Sequence, residues 1–265
     1  MPPNAAVPTG LNFPNPEHNV RPNLNSANPF SAQSGSSFQS VFGPLDLDTQ
    51  KPLVTGGDRH IFQHPNFPAL LVKVMDMQAR AVYLETRPFK RWYKQYQRES
   101  AYRVYLNEIA EYVTTTTRPS GVWQVPMARI LGVAQTSLGL GLVVEKITDA
   151  DGNMAPTVAD LARQGRVDAK FFEQLDEFFD DLADAHVVLH DISASNIACG
   201  LNADGKPGMY LVDGFGVLPL VPVYAWSKSL NRKRIARKYG RMRKSLQARI
   251  EAANKARAAS GTPNA

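Results

Sequence analysis

The chain is 265 residues long with 43% apolar residues, enough for one sizeable domain or two small lobes with a buried core. A single cysteine, Cys199, excludes an internal disulfide and suits a reducing compartment, where it reads as a small apolar residue beside a strand. The longest apolar run, Leu138 to Val144, is too short to span a membrane, and MPPNAAVPTG has no basic stretch followed by an apolar one. These features predict a soluble, cytoplasmic protein without a secretory leader, not a transmembrane one.

The net charge of +6 is uneven. Twelve Lys or Arg and one acid, Glu251, fall between Lys228 and Arg257, whereas the rest of the chain carries 18 bases and 23 acids. The basic character belongs to a tail, so the high isoelectric point does not mark the whole chain as a nucleic-acid binder.

Residues 1–44 hold eight prolines and seven asparagines, with only Glu17 and Arg21 charged. Too few periodic apolar residues are present to offset ordering entropy, and the segment is expected to be disordered, either without a function of its own or serving as a linker or as an export address of a secreted effector. Folding is expected from Leu45. Leu53-Val54, the turn Thr55 to Asp58, Arg59 to Phe62 and Ala69 to Met75 read as strand, glycine turn, strand, turn, strand. Lys73 interrupts the last of these, either on the solvated face of an edge strand or pointing into a cleft.

Arg91 to Thr114 lacks Gly and Pro, and Tyr102, Leu106, Ile109 and Val113 predict its buried stripe. Glu99 lies three residues before Tyr102 on that stripe. It either forms a surface pair with Arg103 or reaches Lys73 and holds the amine toward a phosphate. Val125 to Ala134 and Leu140 to Ile147 read as two strands joined through Thr136 to Gly139, after which Glu145 to Asn153 turns polar as a connector between lobes. Asp168 to Asp184 is the clearest helix: Phe171, Leu175, Phe178 and Leu182 form its core stripe, widened by Phe172 and Phe179, and its acids are expected to be solvated. Ser227 to Ala258 is helical by propensity with a thin apolar stripe, Leu230, Ile235, Met242, Leu246 and Ile250, and is expected to dock and end in a frayed tail.

The densest chemistry lies in Val187 to Gly216. Asp191 is followed five positions later by Asn196, and the strand-like run Met209 to Val212 delivers Asp213 into a glycine-flanked turn. Two acids and an amide suit Mg²⁺ and a phosphate chain, because that cation takes hard oxygen ligands and shares its coordination with phosphate. His190 is expected to be structural, bonded to backbone near this turn, and His186 to act as a helix-terminal cation or a packed residue. Neither has zinc-site spacing.

A glycine turn, a strand Lys, a helix Glu, a connector, a helix, an Asp-x₄-Asn loop and a strand-Asp-Gly turn occur in that order, which resembles the protein-kinase layout. The resemblance implies an α+β, bilobal protein-kinase-like fold with a small antiparallel-sheet N-lobe (45–148) and a reduced helical C-lobe (149–245), followed by a basic, frayed tail (246–265). It implies that Lys73 contacts the nucleotide phosphates, Glu99 holds Lys73, and Asp191 orients the substrate hydroxyl or takes its proton. Asn196 and Asp213 would bind Mg²⁺, and Gly56, Gly57 and Glu145 would border the ATP. More closely, Leu53 to about Met242 resembles the YrbL family of kinase-like bacterial proteins, through Arg98-Glu99, Ile147 to Gly152, Ser195-Asn196-Ile197 with Cys199, and LPLVPVYAWSKS at Leu218 to Ser229.

Several features depart from ordinary protein kinases. Gly56-Gly57 is not a G-x-G-x-x-G loop, Leu189-His190-Asp191 stands for His-Arg-Asp, and Ser193 stands where a Lys is common. Asp213-Gly214-Phe215-Gly216 is one residue longer than Asp-Phe-Gly, and the 49 residues after Gly216 contain no Ala-Pro-Glu and no room for a full peptide-substrate platform. The expected function is an ATP- and Mg²⁺-binding phosphotransferase acting on an unknown hydroxyl acceptor, with a pseudokinase or regulatory module binding a protein partner as the alternative. The basic C-terminal segment could instead contact nucleic acid or an acidic membrane surface, against its simpler role as a docked, solubilising helix.

Overall fold

The computed structural model describes residues 41–86, 100–118, 121–122, 125–216 and 223–260. Most of the segment 1–44, together with Arg98, Glu99 and residues 217–222, lies outside them. In chain order the elements are β1 (Val54–Thr55), β2 (Arg59–Gln63), β3 (Leu70–Met75), α1 (Met77–Glu85), α2 (Arg103–Thr116), β4 (Thr117–Arg118), β5 (Gly121–Val122), β6 (Ile130–Thr136) and β7 (Gly139–Glu145). After these come α3 (Val158–Arg163), α4 (Ala169–Asp184), β8 (Ile197–Leu201), β9 (Pro207–Leu211), α5 (Val223–Trp226) and α6 (Lys228–Ser260). The fold is α+β. Its antiparallel five-stranded sheet has the order β1-β2-β3-β7-β6, and two small hairpins, β4-β5 and β8-β9, stand apart from it.

The two-residue period of β3 explains its packing. Val72 and Val74 join Leu45, Leu47, Phe62 and Val143 on one face. Leu71 and Met75 join Tyr105, Leu142 and Val144 on the other, under α2. Because β3 pairs with β2 on one side and β7 on the other, Lys73 is not on an edge strand; its side chain belongs to the α2 face, and the residue is only 4% exposed. The helical part has its own core, built from α4, α6, Val187, Leu189, Ile197, Leu211 and Phe215.

The expected strand from Val125 starts later, at Ile130, and helix α1, capped by Asp76, was not foreseen. The buried stripe of α2 is also different. Leu106 and Val113 are 50% and 53% exposed, while Tyr105, Glu108, Glu111 and Thr115 are buried. Two acids can face inward here because each has a partner: Glu108 meets Arg59 and Lys73, and Glu111 accepts from the Val188 N–H.

Helix α4 follows the expected register, with Asp168 as its N-cap and Leu175, Phe178, Phe179 and Leu182 buried. Its acidic face is not simply solvated. Asp176 receives the Tyr239 hydroxyl and Arg243, and Asp180 and Asp184 pair with Arg232 of α6. Helix α6 packs through Ile235, Met242 and Leu246, stacks Tyr239 on Phe179, and runs unbroken to Ser260, whereas Leu230 is exposed.

Leu175→Ala is expected to lower stability by about 2–5 kcal/mol, because it opens a cavity in the core under α4. Leu106→Ala should cost no more than about 0.5 kcal/mol, as expected for a surface position. Urea denaturation of both variants checks the assignment; a Leu106→Ala loss as large as that of Leu175→Ala would contradict the face of α2 described here.

Candidate functional site

Arg59, Ile61 and Lys73 share one face of the sheet, since β2 and β3 pair Ile61 with Lys73 and side chains alternate along a strand. Helix α2 lies over that face, and the Tyr105 hydroxyl donates to the Lys73 carbonyl at 2.8 Å. One turn on, Glu108 is fully buried between the two bases. Arg59 Nη1 donates to Glu108 Oε1 at 2.5 Å, and Lys73 Nζ stands 3.6 Å from Glu108 Oε2. Arg59 Nη2 reaches across to Asp213 Oδ1 at 2.9 Å, and Lys73 Nζ donates to the Val212 carbonyl at 2.6 Å. Two cations and two anions therefore balance within one cluster, which is how four charged groups are tolerated at low exposure.

The charges reinforce one another. For Asp213 the largest influence, burial, opposes ionisation, but Lys73 and Arg59 outweigh it and hold the carboxyl below the usual range. Burial likewise works against the Arg59 cation, yet Asp213 and Glu108 raise its pKa above the ordinary arginine value.

The turn carrying Asp213 is folded against the loop carrying Asp191. Leu189 bridges to Phe215, and the backbone N–H groups of His190 and Asp191 both donate to the Gly214 carbonyl at 2.9 and 3.0 Å. Gly214 has φ +84°, and a Cβ there would lie 2.3 Å from the Asp191 carbonyl oxygen and 2.6 Å from Asn196 Nδ2, so only glycine permits this approach. Asn196 ends a short 3₁₀ turn, donates through Nδ2 to Asp191 Oδ2 at 3.2 Å, and accepts the Val212 N–H at its carbonyl. His190 is held by its backbone as expected, but its ring Nδ1 is buried without a partner among the described residues, and burial lowers its pKa. His186 takes a positive φ of 60°, and its Nε2 contacts the Tyr224 carbonyl. Cys199 is half-buried, and burial pushes its thiol up to about 12.

Lys73, Gly56, Gly57, Glu145, Asp191, Asn196 and Asp213 all line one cavity of about 440 Å³ between the sheet and this loop. Glu99 lies outside the described residues; among them the helix acid that meets Lys73 is Glu108. The Glu145 carboxylate faces two backbone donors, Arg129 N–H at 2.9 Å and Ala203 N–H at 2.5 Å. It braces the end of β7 against the β8-β9 hairpin. Glu108 and Arg59 escaped notice in the sequence because their meaning depends on register. The signal was the spacing of Tyr105, Glu108, Tyr112 and Thr115, as regular as the apolar stripe beside it.

The donors suit a hard cation. Both bonds to Asp213 fall on Oδ1, from Arg59 and from the Gly214 N–H at 2.6 Å. Asn196 turns its amide N–H₂ to Asp191, which leaves its carbonyl oxygen as the free side-chain acceptor. No group of three His, Cys, Asp or Glu able to enclose a metal exists among the described residues. A cation here would therefore depend on oxygens supplied by a ligand, as Mg²⁺ does when it binds with phosphates.

The family model described as PhoP regulatory network protein YrbL matches residues 45–247, and the chain belongs to this family. No curated protein matches the chain. Among the described residues no helix is long and apolar enough to cross a membrane.

Burial raises the pKa of Glu111 to about 7, against the opposing hydrogen bond from Val188 N–H. Its ordinary value is 4.5. Between these pH values the folded state binds the proton more tightly than the unfolded chain, so stability falls as pH rises from about 4.5 to about 7 and then levels. The loss attributable to this group is about 3 kcal/mol. Glu111→Gln keeps an acceptor for Val188 but lacks the charge. It is expected to match wild type near pH 4.5 and exceed it by up to about 3 kcal/mol at pH 8. Urea melts at the two pH values test this; parallel profiles for variant and wild type would refute it.

Proposed function

We propose that this YrbL-family chain is a bilobal, protein-kinase-like protein that binds ATP with Mg²⁺ and transfers the γ-phosphoryl group to a hydroxyl acceptor. The observation that carries it is the convergence of Lys73, Asp191, Asn196 and Asp213 on one cavity, with Lys73 backed by a buried helix glutamate. The antiparallel sheet that carries the lysine on its third strand, under a helix, supports the kinase-like arrangement. An ATP-dependent activity fits the cytoplasm.

In this scheme Lys73 meets the nucleotide phosphates, and Glu108 takes the supporting part first expected of Glu99. Gly56 and Gly57, both exposed in the turn between β1 and β2, let backbone approach the phosphates closely. Asn196 and Asp213 would hold Mg²⁺, which supplies charge neutralisation on the phosphate oxygens. Asp191 is exposed at the cavity mouth, and its carboxylate is oriented by the Asn196 amide, so it can accept the proton of an incoming hydroxyl. Catalysis would rest on positioning and charge, because phosphoryl transfer asks little covalent chemistry of the protein.

A regulatory, non-catalytic role has one observation in its favour. Arg59 is bonded to Asp213 Oδ1, the acid assigned to the metal, and a guanidinium fixed there neutralises the charge that would attract Mg²⁺.

Thermal denaturation with ATP and Mg²⁺ is the direct test. Wild type should be stabilised, by about 2.7 kcal/mol at a ligand concentration of 100 Kd, and Asp213→Ala should lose the effect. Asp191→Ala should still bind but turn over about 10²–10⁴-fold more slowly. No stabilisation of wild type, or equal stabilisation of Asp213→Ala, would sink nucleotide binding. Binding without turnover, indifferent to Asp191→Ala, would favour the regulatory role.

A further inference from the structure

A second cavity, of about 540 Å³, opens on the other side of Asp191. Asp191 and Ser195 line both cavities, so the two share a wall at the residue assigned to the acceptor hydroxyl. The far side of the second cavity is α6, which contributes Lys238, Arg241, Ser245 and Arg249 at the three- and four-residue steps of one helix stripe. Three cations face it against one acid, Asp191.

Some bases of the same helix are already committed to acids. Arg232 and Arg243 are ion-paired to α4, whereas Arg241 and Arg249 have no acidic partner among the described residues. Lys238 donates to the His190 carbonyl at 2.6 Å, which fixes the amine beside the loop. Its pKa is lowered, first by burial and then by Arg234, Arg237 and Arg241 around it, against the opposing pull of Asp191. An anion would relieve that crowding. Two exposed arginines and a serine hydroxyl offer the donors that a phosphate or carboxylate accepts, and Arg supplies them as a planar fork.

We propose that this cavity is the acceptor site and that the acceptor is a small polyol bearing a phosphate or carboxylate, gripped by Arg241, Arg249 and Lys238. The assignment rests on the phosphotransfer scheme above and adds its substrate class. With the anionic group held on α6, a hydroxyl of the same molecule is presented to Asp191. The hydroxyl oxygen forms a bond to the γ-phosphorus as the bond from that phosphorus to the β–γ bridging oxygen breaks. ADP leaves with the electron pair, and the proton passes to the Asp191 carboxylate and then to solvent. The volume lies within the range of about 300–1,000 Å³ usual for small-molecule sites.

Calorimetric titration of the full chain with glycerol 3-phosphate, glycerate and uncharged glycerol tests the assignment, and ATP with Mg²⁺ is titrated separately. At least one of the two anions should bind and glycerol should not; the tighter anion identifies the group recognised. The double variant Arg241→Gln/Arg249→Gln should weaken anion binding by at least about tenfold, the loss expected for charge-assisted hydrogen bonds, and leave ATP affinity within about twofold, since neither arginine lines the nucleotide cavity. Absence of anion binding, equal binding by the double variant, or equal binding of glycerol would overturn the acceptor assignment while leaving ATP binding standing. Binding confined to phosphatidylglycerol vesicles would overturn it in favour of a membrane surface. Failure of ATP to bind would overturn the phosphotransfer scheme itself, and the acceptor assignment with it.

Discussion

Arg59 is the point through which the sheet, helix α2 and the Asp213 turn are connected. Its two terminal nitrogens bond Glu108 and Asp213, while Lys73 shares Glu108 and holds the Val212 carbonyl. Unit charges about 4 Å apart attract by about 4 kcal/mol at an effective dielectric of 20, and desolvation of each ion consumes much of that gain. Net stabilisation is therefore a weaker consequence of the cluster than geometric definition. Removing Arg59 leaves Asp213 without an ion pair, and removing Glu108 leaves Lys73 without one, so these two central members hold the arrangement together. The position of Asp213 relative to β3 follows from that condition.

The loop carrying Asp191 is fixed by a different principle, the satisfaction of its backbone. Glu111 of α2 takes the Val188 N–H, Asn231 of α6 donates to the Val187 carbonyl, and Lys238 donates to the His190 carbonyl. Gly214 supplies a carbonyl to two successive N–H groups. Nearly every polar group between Val187 and Asp191 thus has a partner from a separate element. Asp191 itself remains exposed at the end of this braced segment.

Much of this arrangement was legible in the sequence because it depended on local patterns. The α4 stripe, the β6-β7 connection and the Asp191–Asn196–Asp213 grouping follow from short-range periodicity or spacing, whereas the burial of Lys73 follows from the central place of β3 in the sheet. The face of α2 did not, because Leu106 and Val113 are apolar enough to suggest a core and Glu108 and Glu111 polar enough to suggest solvent. The inward acids are stabilised by Arg59, Lys73 and the Val188 N–H, which come from other elements, so helical periodicity could not reveal them. Arg59 was illegible for the same reason: it needs both the β2-β3 register and the crossing to Asp213. Glu145 lines the cavity, but its carboxylate is engaged by the backbone N–H groups of Arg129 and Ala203, a contact only the folded β8-β9 hairpin creates.

The uneven charge of the chain resolves into two stripes of one helix. A tail that merely aided solubility would distribute its bases without regard to the acids of α4 or to the loop. Instead, Arg232, Tyr239 and Arg243 form the stripe that meets Asp176, Asp180 and Asp184, with Tyr239 stacked 4.2 Å from Phe179. The docking uses complementary charge at its rim and apolar contact from Ile235, Met242 and Leu246 at its centre. Lys238, Arg241 and Arg249 are displaced around the helix from that stripe, and docking turns them toward Ser193, Ser195 and Asp191. The acidic face of α4 thus fixes the rotation of α6, and that rotation sets which cations border the Asp191 loop.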